Sequence, residues 1–556
     1  MRRGLVAWSC GTMLWALAAP LTAPLTAADA PRLVAHWPLT ADARDVGPLH
    51  LPTEASGVSF GAEGPTSQLA TAATFDGRAS RLVVQPADAA RPGAGDFTIA
   101  LWVHTDETTR DDLGDLVSWF DPARRVGWQL GLATRSGVTS NQANTRQLSF
   151  GTDAGSEPRW QDEGRPGEAL FAFALAVHDG ALHAGTCEPA ADAAGHVYRY
   201  AGPNQWVDLG APDRANTISA MAPFRGRLHV ASSKYRLKGS ALPESENPHD
   251  GGRVYRLETD GHWTQVGELA GHAAVGGMVE YDGQLYASSL YPPAGLYRWD
   301  GDGAWESVAT PGGRRVEPLA VYDGALWAGS YDGGYVFRYD GQSWREYGPI
   351  DGNTQTYSFA MHRGKLHVGT WPSGKAYRLE QDEWRDAGRL GMETEVMGML
   401  VYNGKLYGGT LPLAEVYRLD GDNTWTQIGR LDHTPDVTYR RAWTMAQHQG
   451  RLFVSALPSG KIHSLSAGAC VTLDRAFPTG WRQVTAVRQA DRLRLYIDGE
   501  QVAESAPGGA DFDLSPAAPL VIGHGAGDYF RGRLCDVRFY HGALSTEAVR
   551  DLARSR

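Results

Sequence analysis

Carboxylates, cationic groups and aromatic rings stand at two equivalent points of a repeated sequence unit. One set precedes the first strand expected in each unit: Asn216, Glu317, Gln355, Tyr357, Glu395, Arg440, Arg441 and Trp443. The other set follows the second strand: Glu188, Lys234, Tyr235, Arg236, Tyr291, Tyr331, Asp332 and Trp371. Rings stack on the apolar faces of a sugar while nearby polar groups bond its hydroxyls, so these residue types suit a sugar or another polar ligand. Ordinary surface polarity without a ligand is the alternative.

The carboxylates of both sets raise the question of catalysis: Glu188, Glu317, Asp332 and Glu395. Two carboxyl groups roughly 5–10 Å apart can act as acid and base in glycoside cleavage. Because the sequence supplies no distance, we assign no catalytic residue. The chain has no nucleophile elbow, no His-Glu-x-x-His and no Cys-x-x-Cys motif. We expect no metal and no cofactor.

The unit that carries these residues is about 40 residues long and reads as four short strands. Its turn between the first and second strands ends in a glycine that recurs at Gly180, Gly226, Gly283, Gly324, Gly364, Gly404 and Gly450. Four strands repeated with this period are typical of β-propeller blades, so the glycines predict seven blades.

Tryptophan marks the fourth strand and indicates how the ring closes. The six copies that follow a third strand are Trp206, Trp263, Trp305, Trp344, Trp384 and Trp425, and the last unit has none. The missing copy is PRWQDEGRPG at 158–167, which matches DEWRDAGRLG at 382–391. We therefore expect the strand around Trp160 to complete the last blade of a propeller spanning 158–467, because such closure removes exposed sheet edges.

Residues 1–28 read as a secretory signal. They contain Arg2-Arg3, an apolar run and small residues that end at Ala28. A membrane anchor is the alternative for the same run, and we expect no membrane span after signal cleavage. Removing the two arginines changes the formal net charge from −11 to −13 (−11 minus 2). This negative charge argues against nucleic acid and against anionic membrane surfaces as partners.

The segments that flank the repeats carry a different pattern: ATFDG, DFTIALWVH, GWRQVTAV, LRLYIDGEQVA, LVIGHGAGDYFRGRLCDVRFY and GALSTEAVRDL. In this order they resemble the laminin-G-like, concanavalin A-like jelly roll. In that family the middle of the domain is continuous, whereas here the repeats separate Phe150 from Trp481. We predict an all-β chain in which a kelch-like seven-bladed propeller interrupts one jelly-roll sandwich. The predicted segments are a signal peptide (1–28), the first part of the jelly roll (29–157), the propeller (158–467) and the second part of the jelly roll (468–556).

The mature chain retains three cysteines, Cys187, Cys470 and Cys535. An oxidising compartment allows one disulfide and one free thiol, with three pairings. We favour Cys470 with Cys535 because both fall in the second part of the predicted jelly roll.

Members of the jelly-roll family often bind glycans or proteins. We therefore expect a secreted, bacterial-type recognition protein that is not catalytic. Its location would be extracellular, periplasmic or at the cell surface, and its partner a glycan or an extracellular protein. The alternatives are a carbohydrate-active enzyme, a glycosidase or lyase that uses the loop face of the propeller, and a scaffold in a surface assembly. We also expect the long loop Leu237–Gly252 to cover that face.

Overall fold

The computed structural model describes Met1, residues 30–108 and residues 110–554, so the predicted signal segment lies outside the described residues except for Met1. Before the repeats, the chain forms β1 (Arg32–Trp37), β2 (Thr53–Ser56), β3 (Ser59–Glu63), β4 (Thr71–Asp76), β5 (Arg81–Val84), β6 (Phe97–Thr105), β7 (Leu113–Asp121), β8 (Val126–Val138) and β9 (Asn141–Ala154). Short 3-10 helices lie at Asp88–Ala90, Leu237–Ser240 and Pro311–Gly313.

The repeats form a long series of short strands. These are β10 (Arg159–Asp162), β11 (Phe171–His178), β12 (Ala181–Cys187), β13 (Val197–Gly202), β14 (Gln205–Asp208), β15 (Thr217–Phe224), β16 (Arg227–Ser233), β17 (Arg253–Leu257), β18 (Trp263–Glu268), β19 (Val275–Tyr281), β20 (Gln284–Ser289), β21 (Leu296–Trp299), β22 (Glu306–Val308), β23 (Leu319–Tyr322), β24 (Ala325–Gly329), β25 (Val336–Tyr339), β26 (Trp344–Tyr347), β27 (Gln355–His362), β28 (Lys365–Trp371), β29 (Lys375–Glu380), β30 (Glu383–Arg389), β31 (Glu395–Tyr402), β32 (Lys405–Leu411), β33 (Glu415–Leu419), β34 (Trp425–Arg430), β35 (Arg441–His448), β36 (Arg451–Leu457) and β37 (Ile462–Ser466).

After the repeats come the elements that complete the sandwich. These are β38 (Ala469–Thr472), β39 (Gly480–Gln489), β40 (Arg492–Ile497), β41 (Glu500–Glu504), β42 (Leu520–Ile522), β43 (Arg531–His541) and the helix α1 (Thr546–Arg554).

Strands from both ends of the chain interleave in two sheets, which we call the sandwich. One sheet has the order β3-β4-β43-β6-β39-β40-β41 with β1 on β43, and the other has the order β2-β5-β42-β7-β8-β9-β38. Residues alternate between the two faces of a strand, so Ile99, Leu101 and Val103 of β6 enter the core while Trp102 does not. The all-β fold and the interrupted sandwich agree with the sequence prediction.

The repeats form antiparallel four-stranded sheets, which we call the ring. Six sheets use consecutive strands, from β11–β14 through to β31–β34, and the last combines β35–β37 with β10. The first two sheets touch through a single pair, Cys187 with Thr217. As the Trp160 motif predicts, the strand before the first sheet pairs with the last one, where Trp160 lies opposite Leu465.

One tryptophan in each sheet of the ring binds the preceding sheet. Each indole Nε1–H donates to a backbone carbonyl in or just after the fourth strand of its neighbour, at 2.8–3.3 Å. The pairs are Trp160 to Ile428, Trp206 to Glu163, Trp263 to Leu209, Trp305 to Val266, Trp344 to Ala309, Trp384 to Tyr347 and Trp425 to Ala387. The series is cyclic, so the repeated tryptophan is explained by hydrogen bonding and packing between sheets.

A hairpin of the sandwich fills the centre of the ring. The end of the β8–β9 hairpin, residues 134–147, contacts the first strand of every sheet of the ring, and we call it the plug. Asn141 Oδ1 accepts from Met221 N at 3.2 Å, and Gln142 Oε1 accepts from Glu280 N at 2.7 Å. The first strands would otherwise carry an unpaired edge toward the centre, and buried backbone groups require partners. The polar side chains of the plug supply them.

The predicted disulfide is wrong: Cys187, Cys470 and Cys535 are buried free thiols. Cys470 packs in a cluster with residues of the ring, and its Sγ lies 3.5 Å from Gln447 Nε2. Cys535 lies in β43, in the other sheet of the sandwich, and packs against Trp102 of β6 in that same sheet. The two thiols therefore lie on the outer sides of the two sheets, with the sandwich core between them.

Candidate functional site

Aromatic residues from the ring meet in one hydrophobic cluster. This cluster, which we call the axial cluster, contains Phe171, Phe173, Tyr235, Tyr291, Tyr331, Tyr357, Trp371 and Trp443. Phe173 packs against Trp443 with ring centroids 4.8 Å apart, and Tyr331 packs against Tyr357 at 5.0 Å. The predicted residues from different repeats therefore converge, because each stands at the same end of a first or second strand.

A buried carboxyl group, Glu317, lies between the plug and the axial cluster. Its side chain is 2% exposed, and its Oε1 accepts from Ser140 Oγ at 3.1 Å and from Tyr331 OH at 3.4 Å. Its Oε2 has no hydrogen-bond partner. Burial raises the pKa of Glu317 to about 8, against the smaller lowering effects of Ser140, Arg315 and Tyr331. Glu317 is therefore mostly protonated at neutral pH and can donate a hydrogen bond.

The second buried carboxyl group, Glu395, faces Arg441. Their closest atoms, Glu395 Oε1 and Arg441 Nε, are 3.7 Å apart, and both atoms lack a hydrogen-bond partner. Burial raises the pKa of Glu395, while Arg441 and a hydrogen bond from Tyr357 act in the opposite direction. Arg441 also donates from Nη1 to Ser240 Oγ at 2.7 Å. The guanidinium is therefore held in place with one N–H group free for another acceptor.

A glycine in β19 makes room for the first of these carboxyl groups. A Cβ atom on Gly276 would overlap Glu317 Oε2. The carboxyl group thus reaches the backbone of the neighbouring sheet because that position has no side chain.

The loop predicted at Leu237–Gly252 packs against the axial cluster, and we call this loop together with Lys234, Tyr235 and Arg236 the lid. Its 3-10 helix, Leu237–Ser240, buries Leu237 in the cluster. Ser240 Oγ lies 2.8 Å from Tyr235 OH. The backbone N–H of Arg236 donates to Tyr291 OH at 2.9 Å. The guanidinium of Arg236 lies over the Tyr291 ring, 4.5 Å from its centre.

Other predicted site residues form no hydrogen bond with Glu317 or Glu395 among the described residues. Asp332 forms a bidentate pair with Arg315, which lowers the pKa of Asp332 against the effect of partial burial. Glu188 is buried, and its pKa is raised by burial, with Thr186 opposing this effect. Arg440 donates to Thr434 O at 2.7 Å.

Two further predicted positions support the base of the lid. Asn216 bonds the backbone of Tyr235 through both its amide nitrogen and its amide oxygen. Lys234 Nζ donates to Asn247 O.

Sequence reasoning missed two serines of the site. Ser140 comes from the sandwich and Ser240 from the lid, and each bonds a charged or ionisable residue of the ring. Neither stands at an equivalent point of the repeat, so the comparison of repeats carries no signal for them.

A separate concentration of buried carboxyl groups lies between the sandwich and the ring: Asp111, Asp112, Asp115 and Asp528. Burial raises the pKa of Asp111 and of Asp112 to about 7 and that of Asp115 to about 6. Burial, followed by Asp111 and Asp112, also raises the pKa of Asp528. Across residues 30–108 and 110–554, the side chains form no group of three or more His, Cys, Asp or Glu suited to a metal ion.

Comparison with protein families agrees with the sandwich. The family model of the Concanavalin A-like lectin/glucanases superfamily matches residues 417–550. The match begins in β33 of the ring and ends in α1, so it covers the second part of the sandwich but not β1–β9. Comparison with curated proteins gives no match.

Comparison with solved structures gives matches of low sequence identity and low TM-score. Virginiamycin B lyase from Staphylococcus aureus aligns at 12% identity and a TM-score of 0.44 over 56% of this chain and 99% of that chain. The extracellular domain of a hybrid two-component system from B. thetaiotaomicron aligns at 12% identity and 0.43, over 62% and 46%. The WD40 β-propeller domain of Doa1 aligns at 11% identity and 0.40, over 55% and 97%. These values are too low to transfer a ligand or an activity to this chain.

No helix within the described ranges has both the length and the apolar character needed to span a membrane.

Proposed function

We propose that this chain is a secreted recognition protein that binds a glycan at the axial cluster without cleaving it. The observation that carries the proposal is a set of three buried polar atoms without partners, Glu317 Oε2, Glu395 Oε1 and Arg441 Nε, beside several aromatic rings. Leaving buried polar groups unpaired costs about 1–3 kcal/mol each. Such groups are therefore expected to have a partner in the working state.

Sugar hydroxyls match this set better than a purely apolar or a strongly charged ligand. A hydroxyl both donates and accepts, so it can bond the carboxyl groups of Glu317 and Glu395 and the N–H of Arg441. The partly buried rings of Tyr331 and Trp371 offer faces for the C–H side of a sugar. An extracellular protein that presents such a glycan is the wider class of partner.

We also propose the finer architecture that accompanies this function. The ring would be one kelch-like propeller with seven blades, supported by the cyclic tryptophan bonds. The chain would divide into a first part of the sandwich (29–157), the propeller (158–467) and a second part of the sandwich (468–556). The strands that share each sheet support this division. Secretion after cleavage of residues 1–28 would bring the chain to the periplasm, the cell surface or the medium.

A glycan array tests the proposal. The mature chain is compared with the double variant Tyr357→Phe/Trp371→Ala and with Tyr335→Phe as a control. Tyr335 stacks on Phe337 outside the axial cluster. We expect wild type and the control to bind the same glycans and the double variant to lose them. Binding that survives in the double variant, or no binding to any glycan, would contradict the proposal.

The second candidate function is a carbohydrate-active enzyme, either a glycosidase or a lyase, and one observation favours it. Burial raises the pKa of both Glu317 and Glu395, but only Glu395 lies beside a cation, Arg441, and two carboxyl groups in different electrostatic environments are typical of acid and base pairs. If this candidate is correct, array glycans are cleaved by wild type, while Glu317→Gln and Glu395→Gln each abolish turnover but leave the fold intact. Intact glycans after long incubation would exclude it.

A further inference from the structure

The axial cluster is closed on its inner side by the plug. Ser140 bonds Glu317 directly, and the backbone carbonyl of Ser140 accepts from Met278 N at 3.2 Å. Asn141, next in the chain, donates to Thr444 Oγ1 at 3.2 Å on the far side of the ring. The plug therefore ties strands on different sides of the ring together, and no polymer chain can pass through the centre.

The same cluster is closed on its outer side by the lid. Leu237 is 1% exposed, and Ser240 bonds both Arg441 and Tyr235. The lid also has its own internal structure, since Glu244 Oε1 accepts from the backbone N–H groups of Leu237 and Ser245. It is anchored at its base, where Asn247 Nδ2 donates to Ala193 O and Arg214 O. The bonds that join the 3-10 helix to the cluster are therefore separate from the bonds that hold the base of the lid.

We propose that the site admits only the terminal unit of a glycan and that the lid moves to let it enter. This inference rests on the proposed function. A continuous chain would need an open groove or a channel with two exits, and the cluster has the plug beneath it and the lid above it. Once the lid closes, Ser240 keeps Arg441 oriented, so Nε is directed to the bound unit.

Glycans that differ by one added unit provide the test. On the same array, each bound sugar is compared as a terminal unit and as the same unit followed by one more sugar. We expect the added unit to reduce binding by roughly tenfold or more. The variant Ser240→Ala, which removes the bond between lid and Arg441, should release the terminal-unit ligand several-fold faster, and Tyr335→Phe should not.

The outcomes separate the two proposals. Equal binding of terminal and internal units, lost in Tyr357→Phe/Trp371→Ala, would overturn the inference about the chain end while leaving the binding function intact. No binding to any glycan would overturn the proposed function, and the inference with it. An unchanged release rate in Ser240→Ala would contradict the role of the lid.

Discussion

Ser140 Oγ donates a hydrogen bond of 3.1 Å to Glu317 Oε1, although the two residues are 177 positions apart. Ser140 belongs to the sandwich and Glu317 precedes the first strand of a ring sheet. The sandwich therefore supplies both the filling of the ring and a direct partner for an ionisable group of the candidate site. This contact is the structural reason to treat the two parts of the chain as one functional unit.

Replacing Glu317 with glutamine should make the protein less sensitive to rising pH. The folded chain keeps the Glu317 proton up to about pH 8, whereas an unfolded glutamate loses it near pH 4.3. The folded state thus binds more protons in this window, and the free energy of unfolding falls as pH rises through it, by ~4 kcal/mol at pH 7. From pH 5 to pH 8, the unfolding temperature of Glu317→Gln should rise relative to that of wild type. The exposed Glu168→Gln is the control, and a difference that does not change with pH would contradict the assignment.

Replacing Arg441 alone should lower the free energy of unfolding more than replacing Arg441 and Glu395 together. The variant Arg441→Met leaves a buried carboxyl group without its cation, which typically costs about 3–5 kcal/mol. Glu395→Gln/Arg441→Met removes the charge as well, so it should recover part of that loss. A double-mutant cycle from denaturant unfolding measures the coupling, and strictly additive effects would show that the two residues do not interact.

The variant Gly276→Ala should destabilise the protein through Glu317. Its new methyl group would overlap Glu317 Oε2, and overpacking of this kind costs about 1–3 kcal/mol. Shortening the partner in Gly276→Ala/Glu317→Ser should relieve the overlap. Gly508→Ala is the matched control, because a Cβ there meets no atom within 4 Å. Equal unfolding temperatures for Gly276→Ala and Gly508→Ala would contradict the close approach.

Neutralising Asp528 should stabilise the protein at alkaline pH. Its pKa is raised by burial, then by Asp111 and Asp112, and its Oδ2 has no partner. Because the folded state favours the protonated form, stability falls as pH rises above the ordinary aspartate range. Asp528→Asn keeps an oxygen to accept from Tyr529 N, the present bond being 2.7 Å, and removes that penalty.

The expected result for Asp528→Asn is a higher unfolding temperature at pH 8 and little change at pH 5. The exposed Asp302→Asn serves as its control. A gain of the same size at both pH values would rule out titration as the cause.

The repeat pattern in the sequence predicted the four-stranded sheets and the aromatic residues that lie at equivalent ends of their strands. It did not predict the contacts between the ring and the sandwich. The Trp160 motif predicted its pairing with the last sheet because the repeat fixes the role of each strand. Tyr331 and Tyr357 were expected on one face for the same reason. Ser140 could not be placed in the ring, since nothing in β8 or β9 shows that their hairpin leaves the sandwich. The pairing of Cys470 with Cys535 failed because membership of one domain does not say which sheet, or which side of it, a thiol occupies.

The most direct test of a glycan site at the axial cluster is a crystal structure of residues 29–556 with a glycan selected from the array. We expect electron density for one terminal sugar under the lid, with hydroxyl oxygens within hydrogen-bond distance of Glu317 Oε2, Glu395 Oε1 and Arg441 Nε. Density for the glycan on the sandwich or on the outer surface of the ring, with those three atoms still unpartnered, would contradict it.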